Sequence, residues 1–141
     1  MKTLVITLIV LLSVILNLFA QESETVTVTL EVSVSKYNNG SIILAMYDSE
    51  ESYMKDIYRS AEVAIQNRKA IIVFNTLKKG KYAFTLFHDL NENKKLDTNF
   101  FGIPKEPYGF SNEKKGRFGP PKFNEVSFCL NKNKKFKISI E

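Results

Sequence analysis

The sequence has almost none of the residues that build disulfides, zinc sites and histidine-based catalysis. It contains one cysteine, Cys129, and one histidine, His88. A single cysteine cannot form an internal disulfide, and a zinc site needs several Cys or His ligands. No activating base lies near Cys129, which predicts a buried or half-buried strand residue and not a reactive thiol. We therefore expect the hydrophobic core to stabilise the fold, with a bound metal ion as an additional source of stability.

Long apolar runs are also missing, except at the N-terminus. Residues 4–16 are apolar apart from Thr7 and Ser13, follow the basic Lys2, and precede a polar segment that begins after Ala20. This arrangement predicts a secretory signal peptide at residues 1–20. An uncleaved membrane anchor is the alternative, but a spanning helix needs roughly 20 apolar residues. We expect residues 21–141 to form one exported domain, periplasmic or secreted, without a membrane span.

Two-residue alternation of apolar and polar side chains is the main secondary-structure pattern. In residues 25–34 the even positions are Val or Leu and the odd positions are Thr, Glu or Ser, which is typical of a strand with one solvent-facing side. The mixed apolar run in 41–47 predicts a central strand. The complete pattern predicts seven strands, at residues 25–34, 41–47, 61–66, 69–76, 81–88, 123–130 and 135–141.

The turn residues predict how these strands are connected. Asn39-Gly40 predicts a hairpin between the first two strands, and Asn67-Arg68 predicts another between the third and fourth. Residues 48–58 interrupt the strand pattern and indicate a short helix or a lid-like loop, in which Tyr53, Met54 and Tyr58 plug one end of the core or line a groove. The fold class is therefore an all-β, seven-stranded antiparallel Ig-like sandwich with one long loop.

An oxygen-rich loop follows the fifth predicted strand and forms a candidate calcium site. Ca²⁺ prefers six to eight oxygen ligands, and an EF-hand-type loop supplies them from alternate positions. Lys94 occupies the sixth position, where Gly is expected, and Phe100 occupies the twelfth, where a bidentate Glu is expected. The alternative is an Asx-rich turn whose side chains cap backbone amides without metal. The predicted ligands are Asp89, Asn91, Asn93, the Lys95 carbonyl and Asp97.

The segment after this loop is rich in aromatic residues, glycine and proline. A stretch of this length between strands is usually functional or held in place by something. Its aromatic side chains either bury the long loop or form a surface for a glycan, an envelope component or a protein partner. Glu106 could also return a further oxygen to the metal. The predicted ligand surface comprises Phe101, Glu106, Tyr108 and Phe110.

A small secreted hydrolase that uses His88 with Asp89 or Glu106 is the alternative function. A catalytic general base needs a nucleophile or an acid partner, and no local motif supplies one. The sequence therefore favours a protein that is not an enzyme, with His88 hydrogen-bonded to the loop or to a neighbouring strand.

Basic residues are frequent in the last quarter of the chain, where Lys132, Lys134, Lys135 and Lys137 cluster. They indicate either an anion-binding surface or a strand edge protected from aggregation. Nucleic acid is not an expected partner, because the chain has an export signal and no recognised nucleic-acid-binding fold.

Two sets of residues resemble known families. The spacing Phe74, Leu77, Gly80 and Tyr82 resembles a signature of prealbumin-like (transthyretin-like) sandwiches. Residues 88–99, 102–112 and 119–123 together resemble the bacterial family called domain of unknown function 2141, in which Gly usually stands at the position of Lys94. This resemblance implies an exported β-sandwich of unestablished activity, and it supplies no catalytic residues.

Overall fold

The computed structural model describes residues 25–114, 116 and 119–141. The predicted signal peptide lies outside these residues. In chain order the strands are β1 Thr25–Val34, β2 Ser41–Tyr47, β3 Arg59–Ala64, β4 Lys69–Lys78, β5 Gly80–Asp89, β6 Tyr108–Phe110, β7 Phe128–Leu130 and β8 Lys134–Ile140. A 3-10 turn at Ser111–Glu113 follows β6, and a four-residue helix, α1 at Phe123–Val126, precedes β7. No helix in the described ranges is long and apolar enough to cross a bilayer.

The strands form two sheets, which confirms the predicted all-β sandwich. One sheet has the order β4-β1-β8, and the other has the order β3-β2-β5-β6, with β7 paired to the beginning of β5. β2 is a central strand, as its mixed apolar sequence predicts. The β1–β8 pair is parallel, whereas the other pairs between strands are antiparallel. The short β6 is additional to the predicted strands.

The core lies between the two sheets and is built by the alternating residues. The even-numbered side chains of β1, from Val26 to Val34, are buried, and they form one cluster with the buried residues of β2, β4 and β5. Phe84 on β5 is completely buried and meets the rings of Phe128 and Phe136 at centroid distances of 5.9 and 5.3 Å. Edge-to-face aromatic contacts of this kind join the two sheets.

Both predicted hairpins are wrong. β1 and β2 belong to different sheets, so the Asn39-Gly40 segment carries the chain across the sandwich. β3 and β4 also separate, and only the isolated bridge between Gln66 and Lys69 remains of the second hairpin. The physical reason is that turn residues favour a chain reversal, whereas the burial of each apolar face decides which sheet the next strand joins.

Two smaller expectations differ from the structure, and for residues 48–58 the structure decides between the two predicted alternatives. Residues 123–126 form α1 and not the first half of a strand. Residues 48–58 form turns, in agreement with a loop and not with a helix. Cys129 is exposed, because in the short β7 it points away from the core while Phe128 and Leu130 point into it.

Three of the four clustered lysines, Lys134, Lys135 and Lys137, lie on β8, an edge of the three-stranded sheet, and Lys132 lies in the bend before it. Lys135 forms an ion pair of 3.1 Å with Glu31, and the Lys134 ammonium lies over the rings of Phe128 and Phe136. The ion pairs with Lys135 and Lys69 lower the pKa of Glu31. These contacts agree with lysines that protect a strand edge.

Candidate functional site

β5 carries the candidate site from the core to the end of the sandwich. In the pairing of β2 with β5, Ile42 lies opposite His88 and Ser41 lies opposite Asp89. Both His88 and Asp89 are buried, and the chain leaves the sheet directly after Asp89. The first predicted metal ligand is therefore held by the sheet, and the others lie on the loop that follows.

The loop side chains bind backbone N–H groups in a series of tight turns. Asp89 accepts hydrogen bonds from the N–H groups of Asn93 (3.2 Å) and Lys94 (2.8 Å), one on each carboxylate oxygen. Asn91 Oδ1 accepts from Asn93 N at 3.2 Å, and Asn93 Oδ1 accepts from Lys95 N at 2.8 Å. These are the Asx-turn contacts of the metal-free alternative.

Asp97 connects the side chains of Asn91 and Asn93. Its Oδ2 accepts a hydrogen bond of 2.7 Å from Asn91 Nδ2, and its Oδ1 accepts one of 3.1 Å from Asn93 Nδ2. Asp89 and Asn91 share the same N–H donor, that of Asn93. The structure therefore brings the side chains of Asp89, Asn91, Asn93 and Asp97 together, while Lys95 joins the network through its backbone N–H.

Glu106 ties the two ends of the loop together. Its side chain is buried, with the residue 6% exposed, and its two oxygens accept hydrogen bonds from Leu90 N (2.9 Å) and Asp97 N (3.0 Å). The neighbouring Lys105 N–H donates to the Asp97 carbonyl at 2.8 Å. Glu106 was predicted on a ligand surface, but its carboxylate lies inside the fold because the loop needs an acceptor for two inward-facing N–H groups.

The sixth loop position has the left-handed backbone that the calcium-loop pattern requires. Lys94 has a φ of 63°, and Glu92 has a φ of 59°. Left-handed backbone is costly for a side chain such as lysine, and glycine would adopt it without strain. The Lys94 ammonium lies 2.9 Å from a Glu62 carboxylate oxygen, and this hydrogen bond raises the pKa of Lys94. The loop thus keeps the required turn without the glycine.

The residues of the loop fit a weakly held hard cation. Two carboxylates and two amides are grouped at one place, and oxygen ligands of this kind suit Ca²⁺. In the part of the chain that the structure describes, no three His, Cys, Asp or Glu side chains are grouped as metal ligands. A cation would therefore need amide and carbonyl oxygens in addition to the two carboxylates, and it would compete with two amide N–H donors for Asp97.

His88 is completely buried and has a structural hydrogen bond. Its Nε2 lies 2.7 Å from the Asn39 carbonyl oxygen, so Nε2 carries the proton and donates. Nδ1 is buried and has no hydrogen-bond partner in the structure, and the Tyr37 ring lies edge-on to the imidazole at 6.4 Å. The carboxylates of Asp89 and Glu106 accept hydrogen bonds from backbone N–H groups, and His88 donates to a backbone carbonyl. These contacts do not favour the hydrolase alternative.

The aromatic segment divides into an exposed part and a buried part. Phe100 is 97% exposed, Phe101 is 82% exposed and Ile103 is 59% exposed. Phe110, by contrast, is buried with Phe123 and Val126, and the half-buried Tyr108 packs against this cluster. Phe110 is one of the residues of the predicted ligand surface, but it is buried because Phe123 and Val126 of α1 cover the face of the sheet on which it lies.

A groove of about 640 Å³ lies beside the exposed part. Met54, which is 48% exposed, lines it together with Phe101, Ile103 and the half-buried Tyr108. Phe101 and Tyr108 belong to the predicted ligand surface, and the aromatic segment predicted to present it also contains the exposed Phe100 and Ile103. The run Phe100-Phe101-Gly102-Ile103, four residues without a charge in a turn-forming context, is the pattern that predicts them.

Comparison with known proteins agrees with the pattern of residues around the loop. The family of uncharacterised proteins conserved in bacteria, DUF2141, matches residues 30–139, which include β2 to β7, the oxygen-rich loop and the aromatic segment. No match was found among curated proteins or among solved structures. Because the match spans most of the sandwich and its long loop, the chain belongs to the bacterial family DUF2141.

Proposed function

We propose that this protein is an exported, non-enzymatic binding module in which the long loop presents an apolar surface to an envelope component, a glycan or a protein. The observation that carries the proposal is the exposure of Phe100 and Phe101, at 97% and 82%. Large apolar side chains that are exposed together on a monomer usually mark an interaction site. The surrounding sandwich is of the prealbumin-like kind and serves as a rigid support.

Export is proposed from the N-terminal segment. Residues 1–20 combine a basic start, an apolar run and a short segment before the polar chain begins. An exported binding module agrees with a chain that has one cysteine and relies on its core for stability. Export also places the loop in a compartment where calcium is available to it.

Calcium binding is proposed at the oxygen-rich loop. Asp89, Asn91, Asn93 and Asp97 would hold the ion through side-chain oxygens, and Lys95 would hold it through its carbonyl. Bound calcium would neutralise two carboxylates and strengthen the connection between the sheet and the exposed aromatic residues. The grouping of Asp97 with both amide side chains supports this assignment. The internal hydrogen bonds of the loop favour weak affinity.

Thermal unfolding tests the calcium part of the proposal. We expect Tm to rise by about 5 °C when EDTA is replaced by Ca²⁺ at a free concentration about ten times its Kd. Binding to the native state at that concentration raises the free energy of unfolding by about 1.4 kcal/mol. Asp97→Asn, which keeps the shape of the side chain but removes its charge, should lose most of this rise. Glu92→Gln changes an exposed carboxylate of the same loop and should keep it. Equal Tm values for the wild-type protein in EDTA and in Ca²⁺ would contradict calcium binding.

Binding to isolated envelope fractions tests the presentation of the loop. We expect the Phe100→Ser/Phe101→Ser double variant to lose at least tenfold in affinity for the polysaccharide, lipid or protein fraction that the wild-type protein binds, since two apolar contacts are removed. The matched control is Ile71→Ser/Val73→Ser, which removes two exposed apolar side chains from β4. Equal loss in both variants would mean that general hydrophobicity, and not the loop, causes binding.

A further inference from the structure

The two most exposed large apolar side chains of the described residues, Phe100 and Phe101, lie in one turn. We call residues 100–103 the loop tip; it contains Phe100, Phe101, Gly102 and Ile103. We propose that the loop tip docks on an anionic lipid bilayer, with Phe100 and Phe101 inserted into its interfacial region. This inference rests on the proposed binding function and names the partner of the same surface.

Hydrogen bonds hold the loop tip in one conformation. Asn99 Oδ1 accepts from the N–H groups of Phe101 and Ile103, each at 2.9 Å. The backbone of Asn99 also accepts from Gly102 N at 2.9 Å, and it donates to the Ile103 carbonyl at 2.8 Å. The apolar side chains are therefore displayed on an ordered turn, and docking requires little further loss of backbone freedom.

The shape of the loop tip favours a fluid partner. Gly102 has a φ of 76°, and a Cβ built on it would meet no atom of the described residues within 4 Å, so this side of the turn is open. The two phenylalanine rings contact each other edge to face at 5.6 Å. A protein partner would need a pocket matched to this projection, whereas a bilayer interface accepts protruding Phe side chains at a range of depths. Met54 extends the apolar surface into the adjoining groove.

The charges around the loop tip favour anionic lipid. Residues 98–104 contain no charged side chain, so insertion desolvates none. Two exposed lysines, Lys95 and Lys105, lie on either side of this stretch, while a third, Lys94, is paired with Glu62. Asp97, the acidic residue among them, is half-buried and accepts two amide hydrogen bonds. The whole chain carries a net charge of +5. Lysines beside an apolar tip attract anionic headgroups, and this attraction weakens with salt.

Vesicle co-sedimentation tests this inference with defined lipids. We expect the protein to bind vesicles that contain 30% phosphatidylglycerol in phosphatidylcholine, and to bind pure phosphatidylcholine vesicles about tenfold more weakly. Phe100→Ser/Phe101→Ser should lower the partition coefficient for the anionic vesicles about 100-fold. Ile71→Ser/Val73→Ser should leave it within about twofold, because those side chains lie on β4 and away from the loop tip.

A fluorescence measurement reports insertion separately from surface adsorption. The chain has no tryptophan, so Phe101→Trp provides a single probe at the loop tip. We expect a blue shift of its emission on addition of anionic vesicles. Vesicle binding without this shift, or unchanged binding of the double serine variant, would overturn the inference.

The outcomes also separate this inference from the proposed function. If anionic vesicles are not bound but the double serine variant still loses binding to an envelope polysaccharide or protein, lipid docking is wrong and the presentation of the loop stands. If the loop-tip variants change neither type of binding, both proposals are wrong.

Discussion

Replacing Glu106 with alanine should lower the free energy of unfolding by about 3–5 kcal/mol, since it removes two hydrogen bonds to a charged group, each of which contributes about 1.5–3 kcal/mol. The two N–H groups belong to Leu90 and Asp97, which begin and end the oxygen-rich loop. The corresponding decrease in Tm is about 10–20 °C for a domain of this size. Urea denaturation, followed by circular dichroism, measures the change directly.

Two variants make the Glu106 result specific. Glu106→Gln keeps one acceptor oxygen and replaces the other with an NH₂ group, so it should lose part of the stability. Glu92→Ala removes an exposed carboxylate from the same loop and should change stability by less than about 0.5 kcal/mol. A loss below about 1 kcal/mol for Glu106→Ala would show that water replaces the carboxylate at both N–H groups and that Glu106 does not hold the loop.

Gly40→Ala should lower the free energy of unfolding by about 3 kcal/mol or more. A Cβ at this position would clash with the Asp89 carbonyl oxygen, a backbone atom that a side-chain rotation cannot move. The φ of 79° adds about 1–2 kcal/mol for any residue with a Cβ. Because the Gly40 carbonyl also accepts a hydrogen bond from Ile65 N, a shift of this backbone would disturb β3.

Gly102→Ala is the matched control for Gly40→Ala. Gly102 has a similar φ of 76° but no atom of the described residues within 4 Å of an added Cβ, so it should lose only the conformational part, about 1–2 kcal/mol. The difference between the two variants in urea denaturation measures the close approach of Gly40 to Asp89. If both variants lose the same stability, that approach does not contribute and left-handed backbone alone explains the Gly40 result.

Gly40 and Glu106 act on opposite sides of the same segment. Gly40 allows the chain before β2 to lie against the Asp89 carbonyl, while Glu106 binds the N–H of the next residue, Leu90. The position of the candidate calcium loop therefore depends on two residues that are distant from it in sequence. This dependence explains how an oxygen-rich loop can remain ordered with Lys94 in a left-handed conformation.

The local features of the protein follow from its sequence. Two-residue alternation predicts β1 and β5 within a few residues, because burial of one strand face requires an apolar residue at every second position, and short apolar runs predict β2 and β4. The side chains of Asp89, Asn91, Asn93 and Asp97 lie close together in the loop, as their short spacing in the sequence allows. Interactions within a few residues of the chain control these features, so the sequence is sufficient to identify them.

The long-range features required the three-dimensional structure. Asn39-Gly40 has the sequence of a hairpin turn, yet it connects the two sheets, because β1 pairs with β4 and β8 and buries its apolar face against the other sheet. Glutamate is usually a surface residue, yet Glu106 is buried and accepts hydrogen bonds from two backbone N–H groups. Only the folded loop directs these N–H groups toward its carboxylate. Strand pairing and the burial of a polar side chain depend on contacts with groups that are distant in the sequence. The spacing of residues along the chain does not determine these contacts.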